Sequence, residues 1–362
     1  VKNFIICLTL LISLPSAQPV KKDSTPPLTI KPAENLFIIT IDGFRWQELF
    51  SGADPLLIND ETCTPDTATM KMMYWEEEAA ARRKKLLPFF WNVLAKKGQL
   101  YGNRQYNNQV NTANIYTFSY PGYNEIFTGN TDILVASNKK KKNSNKNILE
   151  YLNAKEAYKG KVVAFTSWDV FPFILNEERS GLLINSGYEN MGHTSATHAQ
   201  QMIDKVQTEA VNEKSGTRYD QLTFLTAKEY LQKNKPKVLF LGLGETDEYA
   251  HHGRYDLYLQ QANKVDKMLE ELWHWVQSSP AYKDNTTFLI TTDHGRGTNQ
   301  KWTSHSTFIK GSSQTWLAMI GPGIEPLGEI KQAQQLYQQQ LASLMASLLG
   351  ESFGGEDMVW GK

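Results

Sequence analysis

NLFIITIDGF, residues 35–44, holds a continuous strand-like run, four of its ten residues β-branched, that halts on an acid and a glycine. A run this short, flanked by a turn residue and lacking polar alternation, reads as a strand covered on both faces. Four further segments read the same way: KVVAFTSW (161–168), KVLFLGLGETD (237–247), TTFLITTD (286–293) and TWLAMIGPG (315–323). Helical patterns lie around and between them, at 68–97, 198–211, 218–233, 254–278 and 330–349. The first begins acidic (EEE) and ends basic (RRKK), the order that suits a helix dipole. Alternation of strands and helices predicts an α/β domain around a mostly parallel sheet. No internal repeat is present in the sequence.

The chain of 362 residues is long enough for one large core or two modest ones. It carries 38 basic and 38 acidic residues, so net charge gives no case for nucleic acid or an anionic membrane surface as partner. VKNFIICLTLLISLPSAQ reads as a secretory signal: Lys2 as its basic start, Phe4 to Leu14 as its apolar stretch, Ser16 and Ala17 as small residues at the cut. It is too short to span a bilayer. Residues 1–17 are therefore expected to be removed, and the mature chain to work in a periplasm or outside the cell. Cleavage leaves Cys63 without a partner cysteine in the chain and no cysteine to carry a lipid, so no stable membrane anchor is expected. Residues 18–34, rich in Pro and Lys, read as a linker, 35–350 as one catalytic domain with inserted loops at about 50–110 and 130–235, and 351–362 as a tail. NKKKKNSNKN (138–147) reads as a solvated loop, with a substrate-attracting rim as the sharper alternative.

Ligands in an open α/β sheet gather at the carboxyl ends of the strands. Three of the strands end on residues that hold metals: Asp42 after FIITI, Asp247 after LFLGLGET, and Asp293–His294 after FLITT. In ETDEYAHHG, Asp247 and His251 stand four apart, on one face of a helical turn, whereas His252 is turned away. His305, in KWTSHST, is a third donor on a later loop. Imidazoles and carboxylates without thiolates suit zinc, with manganese and iron as alternatives. FSYPGYNEIFTG (118–129) reads as a short helix with Pro121 in its first turn and Gly129 at its end, which places Ser119 at a helix N-terminus, where free N–H groups favour a phosphate or an ionised oxygen. An ordinary capping serine is the simpler reading of that position taken alone.

With these pieces in order along the chain, the sequence resembles the alkaline phosphatase superfamily, and within it the nucleotide pyrophosphatase/phosphodiesterase-like branch. The resemblance rests on IDGFR (41–45), SYPGYNEIFTG (119–129), TDEYAH (246–251), DHG (293–295) and SH (304–305). It implies a three-layer α/β/α sandwich and two divalent ions, most simply Zn2+. One would be held by Asp247, His251 and His305, the other by Asp42, Asp293, His294 and the Ser119 oxygen. Many relatives of that branch have Thr where Ser119 stands and Asn where Gly122 stands. Sulfatases of the same superfamily require Arg where this chain has Tyr123, so formylglycine chemistry is not expected. The resemblance further implies an exported hydrolase of phosphoric esters that forms a phosphoserine on Ser119, acting on a small-molecule ester with no nucleic acid required. Relatives carry an Asn some twenty residues beyond the nucleophile, a place taken here by Asn138. Monoesters are favoured over diesters, because Arg45, Arg179, Arg254 and Arg296 are available to hold the extra charge. The aromatic stretch SWDVFPF (167–173) suggests a pocket for an aryl or nucleoside group, or core. A phosphomutase-like isomerase and a metal-binding protein without catalysis are the remaining readings.

Overall fold

The computed structural model describes residues 31–192, 196–209, 211 and 216–354. The expected signal, residues 18–30 of the expected linker and residues 355–362 of the expected tail lie outside them.

Eleven strands form two sheets among the described residues: β1 Asn35–Ile41, β2 Gln99–Tyr101, β3 Asn108–Asn111, β4 Val162–Thr166, β5 Leu183–Ser186, β6 Val238–Leu243, β7 Thr286–Thr291, β8 Gln314–Thr315, β9 Leu317–Ile320, β10 Gly328–Glu329 and β11 Gln334–Tyr337. The large sheet runs β10-β2-β9-β7-β1-β6-β4-β5 and the small one β11-β3-β8. From β7 through β1, β6 and β4 to β5, every pairing is parallel. The strand expected at 315–323 is in the sheet but runs antiparallel to β7.

The three-layer expectation is met, and side-chain alternation shows why. On β1, Phe37, Ile39 and Ile41 face one core, and Leu36 and Ile38 face the other. On β6, Leu239, Leu241 and Leu243 join the first, and Val238 and Phe240 the second. A period of two places successive side chains on opposite faces, so a strand apolar throughout must be covered twice. The helix Tyr255–Ser278 covers one face; Ser119–Thr128, Ile148–Asn153 and Leu341–Leu348 cover the other. Each fully buried Leu, Ile or Phe contributes roughly 1.5–3 kcal/mol.

Two expected helices are interrupted. The segment 68–97 divides into Thr67–Tyr74, Ala79–Leu86, a wide turn at Phe90–Leu94 and Ala95–Lys97. Pro88, which lacks a backbone N–H, stands at the second break. The segment 330–349 is helical only from Gln338, as a 3-10 turn to Gln340 and then α-helix from Leu341, because residues 334–337 are drawn into the small sheet as β11 beside β3.

Candidate active site

The three central strands deliver their ends side by side. Thr40 of β1 is in register with Thr291 of β7 and Gly242 of β6, so Asp42, Asp293 and the start of helix Glu245–His251 emerge at one edge. The turn after Asp42 needs glycine twice over. Gly43 has φ +59°, and a β-carbon there would lie 2.3 Å from Asp247 Oδ1. Its N–H donates to Asp293 Oδ1 at 3.1 Å, and the Thr246 hydroxyl donates to the Asp42 carbonyl at 2.6 Å. Backbone and side chains thus bolt the three strand ends together.

Two clusters of ligand-type side chains result: Asp42, Asp293 and His294, wholly buried, and Asp247, His251 and His305, partly open. In the first, His294 Nε2 lies 3.5 Å from Asp42 Oδ1 and 3.3 Å from Asp293 Oδ2. Those two carboxylate oxygens are buried and accept no hydrogen bond. Unpaired buried carboxylate oxygens are costly unless a cation meets them. Burial raises both acids, Asp42 well above the usual carboxylate range and Asp293 to about 7, and burial lowers His294. A neutral imidazole beside two carboxylates that resist ionisation alone is a donor set that fits a divalent cation. The outer contacts fit as well. His294 Nδ1 faces the Gly295 carbonyl at 2.9 Å, and since a carbonyl only accepts, Nδ1 carries the proton and Nε2 is left with a lone pair toward the acids. His305 is wired alike, with Nδ1 donating to the Thr117 carbonyl at 3.2 Å. The two rings stack, 3.8 Å between centroids.

Ser119 opens the helix Ser119–Thr128, which ends at Gly129 with φ +69°. Its hydroxyl lies 3.3 Å from His294 Nε2. A cavity of about 170 Å³ joins it to Asp42, Asn138, Trp168, Thr217, Gly244, Asp247, Glu248 and His251. Asn138 is therefore at the site. Its Oδ1 accepts the Tyr120 N–H at 2.9 Å, which leaves the amide NH2 as the group able to donate. Trp168, from the aromatic stretch singled out in the sequence, lines the same cavity, whereas Phe171 of that stretch is core.

The arginines are placed differently from expectation. Arg45 is buried and bonded to Glu48, with a further bond from Nη1 to the Gly297 carbonyl at 3.1 Å. Arg179 pairs with Glu150 at 2.8 Å and donates to the carbonyls of Asn143, Ser144 and Asn145, tying down the Lys-rich loop. Arg254 is paired with its neighbour Asp256 at 2.7 Å. None of these three lines the Ser119 cavity, which holds no Lys or Arg among the described residues. Arg45 and Arg179, the expected substrate-binding arginines, stand apart from that cavity, with their guanidinium hydrogens given to carboxylates and backbone carbonyls. Arg296 is also buried, but it bonds Asp247 within the second cluster. Burial lowers it to about 9, which leaves it charged at neutral pH.

Three positioning groups escaped the sequence reading. The Tyr123 hydroxyl donates to Asp42 Oδ2 at 3.0 Å. Buried Asp220 accepts the N–H groups of Gly244 at 2.8 Å and Glu245 at 3.2 Å, capping from a distance the helix that carries Asp247 and His251. Thr217 and Glu248, joined at 2.7 Å, wall the cavity. Asp220 alone had a signal, as an acid opening an expected helix, and that signal points to an ordinary cap.

Comparison with known proteins bears on the fold that carries these clusters. Residues 183–309 match a family model described as the Metalloenzyme superfamily. That stretch contains Asp247, His251, Asp293, His294 and His305 but stops short of half the chain. A curated protein, the 2,3-bisphosphoglycerate-independent phosphoglycerate mutase of Gracilaria tenuistipitata var. liui, is 30% identical over 83 residues, which are 21% of this chain and 15% of that protein. The chain thus matches under a sixth of the mutase's length. Among solved structures, wild-type alkaline phosphatase PafA is similar with a TM-score of 0.56 and 10% identity, covering 90% of this chain and 97% of PafA. A phosphonate monoester hydrolase from Silicibacter pomeroyi gives a TM-score of 0.54 and 13% identity over 88% of this chain and 74% of that one. An alkaline phosphatase superfamily protein from Vibrio parahaemolyticus gives 0.51 and 12% over 92% and 70%. The fold is alkaline-phosphatase-like; the likeness extends across that superfamily and does not single out its phosphodiesterase branch.

Proposed function

We propose that this chain is a metal-dependent hydrolase of phosphoric esters that works through a phosphoserine on Ser119, and that singly charged diesters are its preferred substrates. The observation that carries the reading is the Ser119 hydroxyl at a helix N-terminus, against His294 Nε2, in a cavity that reaches both ligand clusters. Asp42, Asp293, His294 and the Ser119 oxygen would hold one divalent ion, and Asp247, His251 and His305 another. Bound there, zinc or a similar ion supplies Lewis acidity at the nucleophile and at the leaving oxygen.

The chain's own groups do the rest. Tyr123 and the Gly43 N–H orient the two acids of the buried cluster. The positive end of the dipole of helix Ser119–Thr128 favours the anionic phosphoryl oxygens at Ser119, and the amide NH2 of Asn138, whose Oδ1 is held by the Tyr120 N–H, donates in the same cavity. Ser119 loses its hydroxyl proton to solvent as Oγ forms the bond to phosphorus, the ester oxygen leaves with the bonding pair and takes a proton from water, and a water later cleaves the phosphoserine.

Diesters displace monoesters as the favoured substrates for a reason of charge. A monoester dianion needs a cation on its non-bridging oxygens, and the cavity lining offers none among the described residues. A diester also has a second ester arm to place. A larger cavity of about 580 Å³, walled by Tyr188, Tyr219 and Tyr249, shares Thr217 and Glu248 with the Ser119 cavity and has room for it. Export through the N-terminal segment belongs to the same proposal. Among the described residues no helix is long and apolar enough to cross a membrane.

The test is a side-by-side assay of bis-p-nitrophenyl phosphate, p-nitrophenyl phosphate and p-nitrophenyl sulfate on zinc-loaded protein. Diester turnover with higher kcat/KM than the monoester is expected, with sulfate far behind. A monoester preference overturns the diester reading. Transfer of phosphate without net release favours the mutase-like alternative.

A further inference from the structure

The two ligand clusters differ in what surrounds them. Among the described residues no Lys or Arg is bonded to the Asp42–Asp293–His294 cluster, and two of its carboxylate oxygens accept no hydrogen bond. The Asp247–His251–His305 cluster already holds a positive charge. Arg296, 1% exposed, donates from Nη1 to Asp247 Oδ1. It is not a mobile visitor: Nε donates to the Trp302 carbonyl at 2.9 Å, and Nη2 donates to the Thr303 carbonyl.

The histidines show a second difference. His294 and His305 each present Nδ1 to a backbone carbonyl, so the proton resides there and Nε2 faces the cluster as a lone pair. His251 has Nδ1 toward Arg296 Nη2, at 3.4 Å. A guanidinium nitrogen only donates. The proton of His251 is therefore driven to Nε2, the atom that lies 2.9 Å from Asp247 Oδ2 and 3.0 Å from His305 Nε2 and that an ion would need. Metal-ligating histidines ordinarily have the reverse wiring, with the remote N–H given to an acceptor.

We propose that Arg296 is a resident competitor at the Asp247–His251–His305 site, so that the two sites fill at well-separated metal activities, the Asp42–Asp293–His294 site first. It acts twice: its charge neutralises the carboxylate that would attract the second ion, and its N–H sets the wrong tautomer on His251. Arg296 is thus a positioning residue that grades the second site. The chain would hold one ion at low zinc and gain the second as zinc rises, which makes full activity a function of zinc supply. This inference rests on the two-ion reading given above.

The experiment titrates the apo full-length protein with zinc against a chromophoric chelator, for wild type, Arg296→Gln and Arg296→Met. In wild type two steps are expected, separated by at least about tenfold in free zinc, the scale of outer-contact effects on metal affinity. In the variants the second step moves to lower zinc by about tenfold or more, while the first stays in place. A second step that does not move, or moves to higher zinc, overturns the proposal. Because either substitution deprives the Trp302 and Thr303 carbonyls of their donor, 15N spectra of the histidines in the wild-type apo protein provide a test without a variant: His251 is expected with its proton on Nε2, and His294 and His305 with theirs on Nδ1. A proton on Nδ1 of His251 overturns the proposal. Failure of any form to take up a divalent ion sinks the two-ion reading itself. Two equal sites indifferent to Arg296 sink this inference and leave that reading standing.

Discussion

The carbonyl oxygen of Asp293 lies 2.6 Å from the point where a β-carbon on residue 122 would stand. The helix that presents Ser119 therefore touches the end of β7 backbone to backbone, and Gly122 is what lets it. Burial of the whole helix Ser119–Thr128 agrees with that contact.

Gly122→Ala tests it. In a helix interior, Ala is favoured over Gly by about 1 kcal/mol. Against this, the clashing atom is backbone and cannot rotate away, and overpacking typically costs about 1–3 kcal/mol. The clash wins, and the helix must lift from Asp293. We expect a modest loss of stability, and a loss of kcat and of first-site metal affinity much larger than that loss of stability implies. Unchanged turnover in the folded variant would show that the contact is dispensable.

Tyr123→Phe removes the bond the hydroxyl donates to Asp42 and the one it accepts from Thr40 at 3.4 Å, and little volume. Its hydroxyl is bonded to Asp42 Oδ2 and packed 4.6 Å, ring to ring, from Phe171. Loss of such an outer partner typically lowers metal affinity about 10–100-fold. Equilibrium dialysis against buffered zinc, on the Phe variant and wild type, measures the change. Equal affinities refute the assignment of Tyr123 as a positioning residue.

Most of the candidate ligand set was readable because its residues sit at strand ends. An apolar run that stops on Asp declares both the strand and its edge, and Asp42, Asp293 and His294 follow from that alone. Asp247 and His251 follow from helical spacing, and His305 from its place on the loop that follows, which the resemblance reinforces. The arginines were not readable. A sequence shows that Arg45 and Arg179 carry charge, but not that Glu48 and Glu150 already neutralise it. The function of Gly122 was hidden for a related reason, since its neighbour Asp293 is remote in sequence and the contact is to backbone. The segment 330–349 failed because pairing of β11 with β3 overrode helical periodicity.

The buried acid Asp266 gives a pH prediction away from the metal ligands. It accepts the N–H groups of Phe89 and Phe90, at 2.8 and 3.0 Å, and burial raises its pKa from the ordinary carboxylate range to about 7. Its folded pKa thus exceeds its unfolded one, so between these values the folded state binds more protons. Stability is then greatest below the unfolded pKa and falls as pH rises toward 7, by up to about 1.4 kcal/mol per unit for one group. Urea unfolding at pH 5 and pH 8 should show wild type losing more stability across that interval than Asp266→Asn. A variant with the same slope as wild type contradicts the prediction.

Ser119 carries the last prediction, on which the proposed mechanism turns. Its hydroxyl is buried and 3.3 Å from His294 Nε2, at the opening of a helix. Ser119→Ala removes the oxygen and leaves the six carboxylate and imidazole ligands in place. Zinc stoichiometry should therefore persist while kcat falls on the order of a thousandfold or more, as expected for a lost covalent nucleophile. Ser119→Thr should retain measurable turnover, since the hydroxyl remains. Thr117 is the control. It is two residues away with φ +51°, and its side-chain oxygen has no partner, but its carbonyl receives His305 Nδ1–H. Thr117→Ala keeps that carbonyl and should be mild. Acid quench of the zinc-loaded enzyme with a diester, followed by peptide mass mapping, should place phosphate on Ser119. Phosphate on Thr117, or near-normal turnover by Ser119→Ala, would move the nucleophile elsewhere and end this mechanism.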